Sequence, residues 1–137
     1  AFARLGVKLG ADALRNQAEK FGFGTKPLSD IGSVASRFPD QIDVPQTGLA
    51  SIGGFDVAAS PLQMAMVAAA VRNDGVVMQP YLVESVRSAD LQVLSQTRPS
   101  QLSLATSASD AAKLRQMMVG VVEGGTGTLH EEENHKK

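Results

Sequence analysis

The 137-residue chain has no cysteine, no tryptophan, a single tyrosine (Tyr81) and only 4% aromatic residues. Without cysteine there is no disulfide, no thiolate metal site and no cysteine nucleophile, although the cellular compartment stays open. No apolar run approaches the roughly 18 residues that a membrane-spanning helix needs, and Ala1-Phe2-Ala3-Arg4 lacks the layout of a signal peptide. Apolar residues still make up 43%, within the globular range for one domain. The interior must therefore be built from Ala, Val, Leu and Met, which bury less area per residue than aromatic rings. That points to a core incomplete without more chain. A net charge of one sign is missing too: the formal charge is −1. Three glutamates and two lysines lie within 129–137, so the remainder is neutral. Nothing offers an electrostatic footprint for nucleic acid or an anionic membrane.

The most informative stretch is Gly48 to Pro80, where a glycine-broken loop runs into a sharply marked helix. Ser60 is the expected N-cap, Pro61 sits at the first helical position, and Gln63 completes an S-x-x-Q capping box. Asn73-Asp74-Gly75 supplies a left-handed C-cap, and Pro80 forbids a restart.

Around this block the pattern is mostly helical. Phe2, Leu5, Leu9, Ala13, Leu14, Ala18 and Phe21 fall at helical spacing. Gly10 breaks them into two short helices, Asp12 suits the second N-terminus, and Phe21-Gly22-Phe23-Gly24 ends the run. From Thr25 to Ala59 the pattern dissolves into Pro, Gly, Ser and Asp, which reads as a long loop. Val76-Val77-Met78 is β-prone, and Tyr81–Arg87 with Leu91–Thr97 reads as a small antiparallel hairpin turning at Ser88-Ala89-Asp90, closed by Arg98-Pro99. A last helix starts at Ser107, with Asp110 completing an [ST]-x-x-[DE] box. Leu114, Met117, Met118, Val121 and Val122 follow the helical template until Gly124-Gly125.

In this order the pieces resemble the transpeptidase domain of class B high-molecular-weight penicillin-binding proteins. Ala1 to Asp12 and the Phe21–Gly24 stop resemble the segment just after that family's Ser-x-Asn motif. The Ser60–Ala65 helix start with Asn73-Asp74-Gly75 and Pro80 is similar to the helix beneath its active site. The 107–122 helix with Glu123–Thr128 looks like the approach to its Lys-Thr-Gly strand. The resemblance covers 1–128. It implies an α/β (α+β) penicillin-binding transpeptidase, serine β-lactamase-like fold, present in part and helix-rich with a small antiparallel hairpin. It also implies a D,D-transpeptidase that cross-links peptidoglycan through an acyl-serine, with stem peptide and β-lactams as ligands, no cofactor, and no nucleic acid. The location implied is the extracytoplasmic face of the bacterial plasma membrane, held by an N-terminal anchor outside these residues.

The chemistry of that family needs a serine beside a base and preset donors for an oxyanion, carried by S-x-x-K, S-x-N and K-T-G. None of the three occurs here: Ser33 is followed three residues on by Ser36, and Ser109 by Ala112. The chain is expected to lie between the second and third motifs and to be inactive alone, with no catalytic, cofactor or metal residue within it. Gly125-Thr126-Gly127-Thr128 resembles Lys-Thr-Gly-Thr without its lysine, but it follows a helix directly and reads as a helix stop. A non-catalytic interaction module of the same fold is the alternative.

Other sharp readings have plainer competitors. His130 and His135 beside three glutamates suggest metal, yet a spacing of five on a polar tail is no preformed ligand set. That tail, 129–137, reads as unstructured: an appended sequence, a frameshifted end or a real divergence. Met64, Met66 and Met78 suit a ligand groove or a core. The hydroxyl of Ser60 is explained by capping. Arg37, Asp40 and Asp43 either contact substrate or a partner or are solvated, and Gly53-Gly54 permits a close backbone approach to ligand or helix. The apolar faces at 61–71 and 114–122 are expected to drive association with a second copy or a complementary chain.

Overall fold

The computed structural model describes residues 1–28 and 32–127. Among the described residues five helices and four short strands follow in order: α1 Phe2–Leu9, α2 Ala11–Lys20, α3 Val44–Ala50, α4 Pro61–Arg72, β1 Val76–Met78, β2 Ser85–Arg87, β3 Val93–Gln96, β4 Gln101–Leu104 and α5 Ala108–Gly124. The break between α1 and α2 falls at Gly10, whose φ of 87° is left-handed. Asp12 opens α2 and ion-pairs with Arg15 at 2.7 Å, one turn on.

The two strongest start signals work as expected. Ser60 Oγ accepts the Gln63 N–H at 3.1 Å, and Ser107 Oγ accepts the Asp110 N–H at 3.1 Å. The Asp110 carboxyl is held below its ordinary value, first by the hydrogen bond from Lys113 and then by that from Ser107. One half of the expected box on α4 fails. The Gln63 side chain does not return to the Ser60 backbone but turns inward, where its Nε2 donates to the Phe21 carbonyl at 2.7 Å. A tertiary acceptor has displaced the local one.

The 25–59 region is less irregular than its composition implies. It contains α3, opened by a reciprocal capping box: Asp43 Oδ1 accepts the Gln46 N–H at 2.8 Å and Gln46 Oε1 accepts the Asp43 N–H at 2.9 Å. Pro45 occupies the first turn, where no donor is needed. An antiparallel bridge also ties Arg37 to Ala58.

Two separate two-stranded antiparallel ladders form. The expected hairpin is there as β2 with β3, pairing Ser85 with Gln96 and Val86 with Ser95. The other was not anticipated: β1 pairs with β4, Val76 opposite Leu104 and Val77 opposite Ser103. Gln101-Leu102-Ser103-Leu104 alternates, but it is short and follows Pro99 closely, and its partner lies a full hairpin away in sequence. The core sits where α4 crosses this ladder. It holds Met66, Ala70, Val77 and Ala105, flanked by Phe21, Leu62 and Leu102. Gly75, with φ 88°, lets the chain leave α4 for β1, since a Cβ there would lie 2.1 Å from the Thr106 carbonyl oxygen. The polar tail, with His130 and His135, and Thr128 lie outside the described residues.

Because α3 is only 7 residues long, its reciprocal cap is a large part of what holds it. Asp43→Ala is expected to cost about 1 kcal/mol and to speed amide exchange at Thr47 and Ser51. Unchanged exchange there would show that packing alone forms the helix.

Candidate functional site

The site-bearing part of the molecule is a chain of polar contacts joining the end of α2, the 24–60 segment and the start of α4. The last carbonyls of a helix have no partner within it, and α2 has its own met from distant elements. Lys20 O accepts from Ser103 Oγ on β4 and Phe21 O from Gln63 Nε2 on α4. The Gln17 side chain donates to Ala105 O at 2.8 Å. Gly22, with φ 97°, makes the turn beside the amide; a Cβ there would sit 3.4 Å from Gln63 Nε2. Gln63 is fully buried, at 0% exposure. Its Oε1 has no hydrogen-bond partner among the described residues.

Buried Ser36 extends the link: its carbonyl accepts the Gly24 N–H at 2.8 Å and its Oγ accepts the Ser60 N–H at 3.1 Å. Next to it, Arg37 exchanges backbone bonds of 2.7 and 2.9 Å with Ala58. Its guanidinium donates to the Asp56 carbonyl at 3.2 Å and pairs closely with the Asp56 carboxylate. Arg15 fastens the same loop to α2, donating to the carbonyls of Pro39 and Asp40. Arg37, Asp40 and Asp43 therefore each have a bond within the chain. They are a latch, a tether and a cap.

Helix α1 is seated on α3 through glycine. A Cβ on Gly6 would fall 2.1 Å from Ser51 Cβ, and one on Gly48 would fall 3.4 Å from Val7 Cγ2. The close approach at Gly54 is to the end of α3 itself: its N–H donates to Leu49 O at 3.0 Å.

Apolar side chains stay uncovered in several places, among them a groove beside α4 and the length of α5. A cavity of about 480 Å³ is lined by Leu62, Ala65, Met66, Ala69, Val76 and Met78. The three methionines divide: Met66 belongs to the core and lines this groove, Met78 lines it from β1, and Met64 points outward. On α5 only Ala111 is buried, while Met117 and Val122 are 65% and 54% exposed.

Among the described residues no serine hydroxyl bonds to a lysine or histidine. Ser51 and Ser33 donate to carbonyls, and Ser60, Ser36 and Ser107 serve the caps and links above. No group of three His, Cys, Asp or Glu side chains is placed to hold a metal among those residues, and none of their helices is long and apolar enough to cross a membrane. The Gly125–Gly127 run is a helix-ending turn and not a strand, with the Gly127 N–H bonded to Val121 O at 3.0 Å. Sequence reasoning missed the roles of Gln63 and Ser36. Nothing local marks them, because their partners lie on other elements.

The family model described as the penicillin binding protein transpeptidase domain matches residues 1–136, and the chain belongs to that family. Within it the chain is similar to the peptidoglycan D,D-transpeptidase PbpA of Mycolicibacterium smegmatis, 44% identical over 120 residues, 87% of this chain and 24% of that one. The crystal structure of PbpA from Mycobacterium tuberculosis superimposes with a TM-score of 0.84 at 41% identity, covering 88% of this chain and 28% of that one. The D,D-transpeptidase domain of a peptidoglycan glycosyltransferase from Eggerthella lenta gives 0.82 at 37% identity, with 93% and 34% covered. The chain thus spans about a quarter of the curated PbpA relative (24%).

The Gln63 contact can be tested by one atom. Gln63→Glu places a carboxylate where only a carbonyl faces it, and a buried, unpaired charge costs at least ~3 kcal/mol. Burial raises the folded-state pKa of that acid above its unfolded value, so the folded form binds the extra proton. Stability is expected to be lowest at neutral pH and to recover as pH falls through the raised pKa, where the acid again donates to Phe21 O. A denaturation midpoint indifferent to pH, relative to wild type, would rule out the buried contact.

Proposed function

We propose that the chain works within a peptidoglycan D,D-transpeptidase, residues 1–128 forming part of the transpeptidase domain and 129–137 a polar extension. The acylated serine is supplied by sequence outside these residues. Its Oγ attacks the penultimate D-alanine carbonyl of a stem peptide, expels the terminal D-alanine amine and leaves an acyl-enzyme for an acceptor amine to open. A β-lactam takes the same attack and stays attached. The observation that supports this most directly is the likeness to M. tuberculosis PbpA, which has been solved as a penicillin G acyl-enzyme complex with a TM-score of 0.84 to this chain. What these residues contribute is position: they fix α1 against α3 and α2 against α4. Peptidoglycan chemistry puts the working protein at the extracytoplasmic face of the plasma membrane.

Fluorescent penicillin separates the alternatives. The 137-residue chain is expected to take no covalent label, and the full-length chain to give a denaturant-stable labelled band. Label on the short chain would overturn the placement of the motifs, and a full-length chain that never labels would favour the non-catalytic module.

The bare face of α5 and the groove beside α4 support a second proposal, that this segment alone pairs with itself or with a complementary part of the domain. A large bare apolar patch is unusual on a soluble monomer. Light scattering is expected to show mass rising with concentration; a compact monomer at every concentration would exclude self-association.

A further inference from the structure

We propose that Asp74-Gly75 is a latent site of spontaneous aspartate isomerisation, kept from reacting by Arg115. In that chemistry the backbone nitrogen after an aspartate attacks the side-chain carboxyl carbon. A C–N bond forms, the carboxyl C–O bond breaks, and the amide proton leaves with the hydroxyl as one water. Water then reopens the five-membered succinimide at its backbone carbonyl, and the main chain runs on through the former side chain as isoaspartate. No oxidant or cofactor enters. Glycine after the aspartate leaves the nitrogen open to this attack, and Asp74-Gly75 is the only Asp-Gly pair in a chain that has no Asn-Gly.

The pair lies at the exit from α4, both residues left-handed, with φ of 52° and 88°. The Asp74 side chain is 65% exposed, so water reaches the carboxyl. Two bonds engage the reacting groups. The Gly75 N–H donates to Ala70 O at 2.8 Å, an ordinary closure of a helix end that occupies the nucleophile. Asp74 Oδ1 accepts from Arg115 Nη1 at 2.9 Å, and the same nitrogen donates to the Val71 and Arg72 carbonyls at 3.2 and 3.1 Å. The carboxyl carbon therefore cannot turn onto the nitrogen without leaving a guanidinium fixed to the end of α4. An exposed ion pair adds little to stability, so holding this rotamer is the larger effect of the bond. The joint has no room for the product. Gly75 is buried, its carbonyl accepts the Ala105 N–H at 2.8 Å, and a Cβ on it would lie 2.1 Å from Thr106 O. One more backbone carbon there would part α4 from the β1–β4 ladder, and with it the seam between Ala70 and Val77.

The test uses the full-length chain, kept folded at neutral pH and physiological temperature. Isoaspartate is counted by enzymatic methyl transfer to its carboxylate and placed by peptide mapping. Arg115→Met keeps a straight apolar stem and removes all three bonds. In it, isoaspartate at position 74 is expected to form about fivefold faster than in wild type, the scale of one partly exposed ion pair. Arg115→Lys keeps the charge without the planar guanidinium; it is expected to rise by less, and it carries the test if Arg115→Met does not fold. Ser107→Ala loosens the start of α5 but leaves Arg115 in place, and is expected to match wild type. Adding Asp74→Glu, whose attack would need a six-membered ring, is expected to abolish the signal of Arg115→Met. No rise in the folded Arg115 variants, an equal rise in Ser107→Ala, or a signal that maps elsewhere or survives Asp74→Glu overturns the proposal.

Discussion

Everything described depends on a side-chain amide with no access to water. Gln63 lies at the start of α4, and its Nε2 closes the last exposed carbonyl of the turn that ends α2. An aliphatic side chain would fill the same volume and leave that carbonyl unsatisfied. Burying an unpaired polar group costs about 1–3 kcal/mol, and the structure already carries one such cost at Gln63 Oε1. A second would fall on the turn that carries Phe21, which packs against the core. One bond thus couples the end of one helix to the beginning of another, far apart in sequence. The side chain is free to do this because the Ser60 N–H, which a full capping box would direct to it, donates to Ser36 Oγ instead.

That division explains what could be read from the residues and what could not. Features closed within four positions were legible: the Ser60 and Ser107 caps, the Gly10 break, the Asn73-Asp74-Gly75 exit and the Gly124-Gly125 stop. Each rests on a local conformation or a local donor. The Asp43-Val44-Pro45-Gln46 box was equally local, but it lies in a stretch whose Pro, Gly and Ser content masks a helix of two turns. The fate of the Gln63 side chain, the Ser36 link and the β1–β4 ladder depends on chain brought together from elsewhere, and no periodicity encodes it. Of the candidate site, Arg37 and Gly53-Gly54 were noticed as residues, but the latch to Asp56 and the 53–56 turn they build were not.

The small-residue core accounts for the bare faces. Met66, Ala70, Val77 and Ala105 close one seam between α4 and the β1–β4 ladder, and that seam uses only the inner face of α4. Helix α5 is anchored mainly by Ala111 and by Arg115, which bonds to the Val71 and Arg72 carbonyls and to Asp74. An arginine satisfying the orphan carbonyls at the end of α4 holds α5 in register while leaving its methionines and valines uncovered. The apolar surplus is a result of that geometry. A helix tethered at its start and by one guanidinium keeps most of its circumference for something else.

The contacts form one path through the molecule. Gly6 seats α1 on Ser51, α3 feeds the 53–56 turn, Arg37 clamps the turn to Ala58, Ser36 joins that bridge to Ser60, and Gln63 ties α4 back to α2. On the transpeptidase reading such a path has a specific use. Acyl transfer is sensitive to misplacement of about 1 Å, and a serine on one element is served by donors on others only if their separations are fixed. Hydrogen bonds to backbone atoms and glycine-to-side-chain contacts fix distance better than long side chains do, because they leave few rotamers free. The 53–56 turn lies in the middle of this path and is held from both ends, by the α3 carbonyls of Ala50 and Leu49 and by Arg37, which is the place where Phe55 and Asp56 can be kept at φ of 43° and 57°.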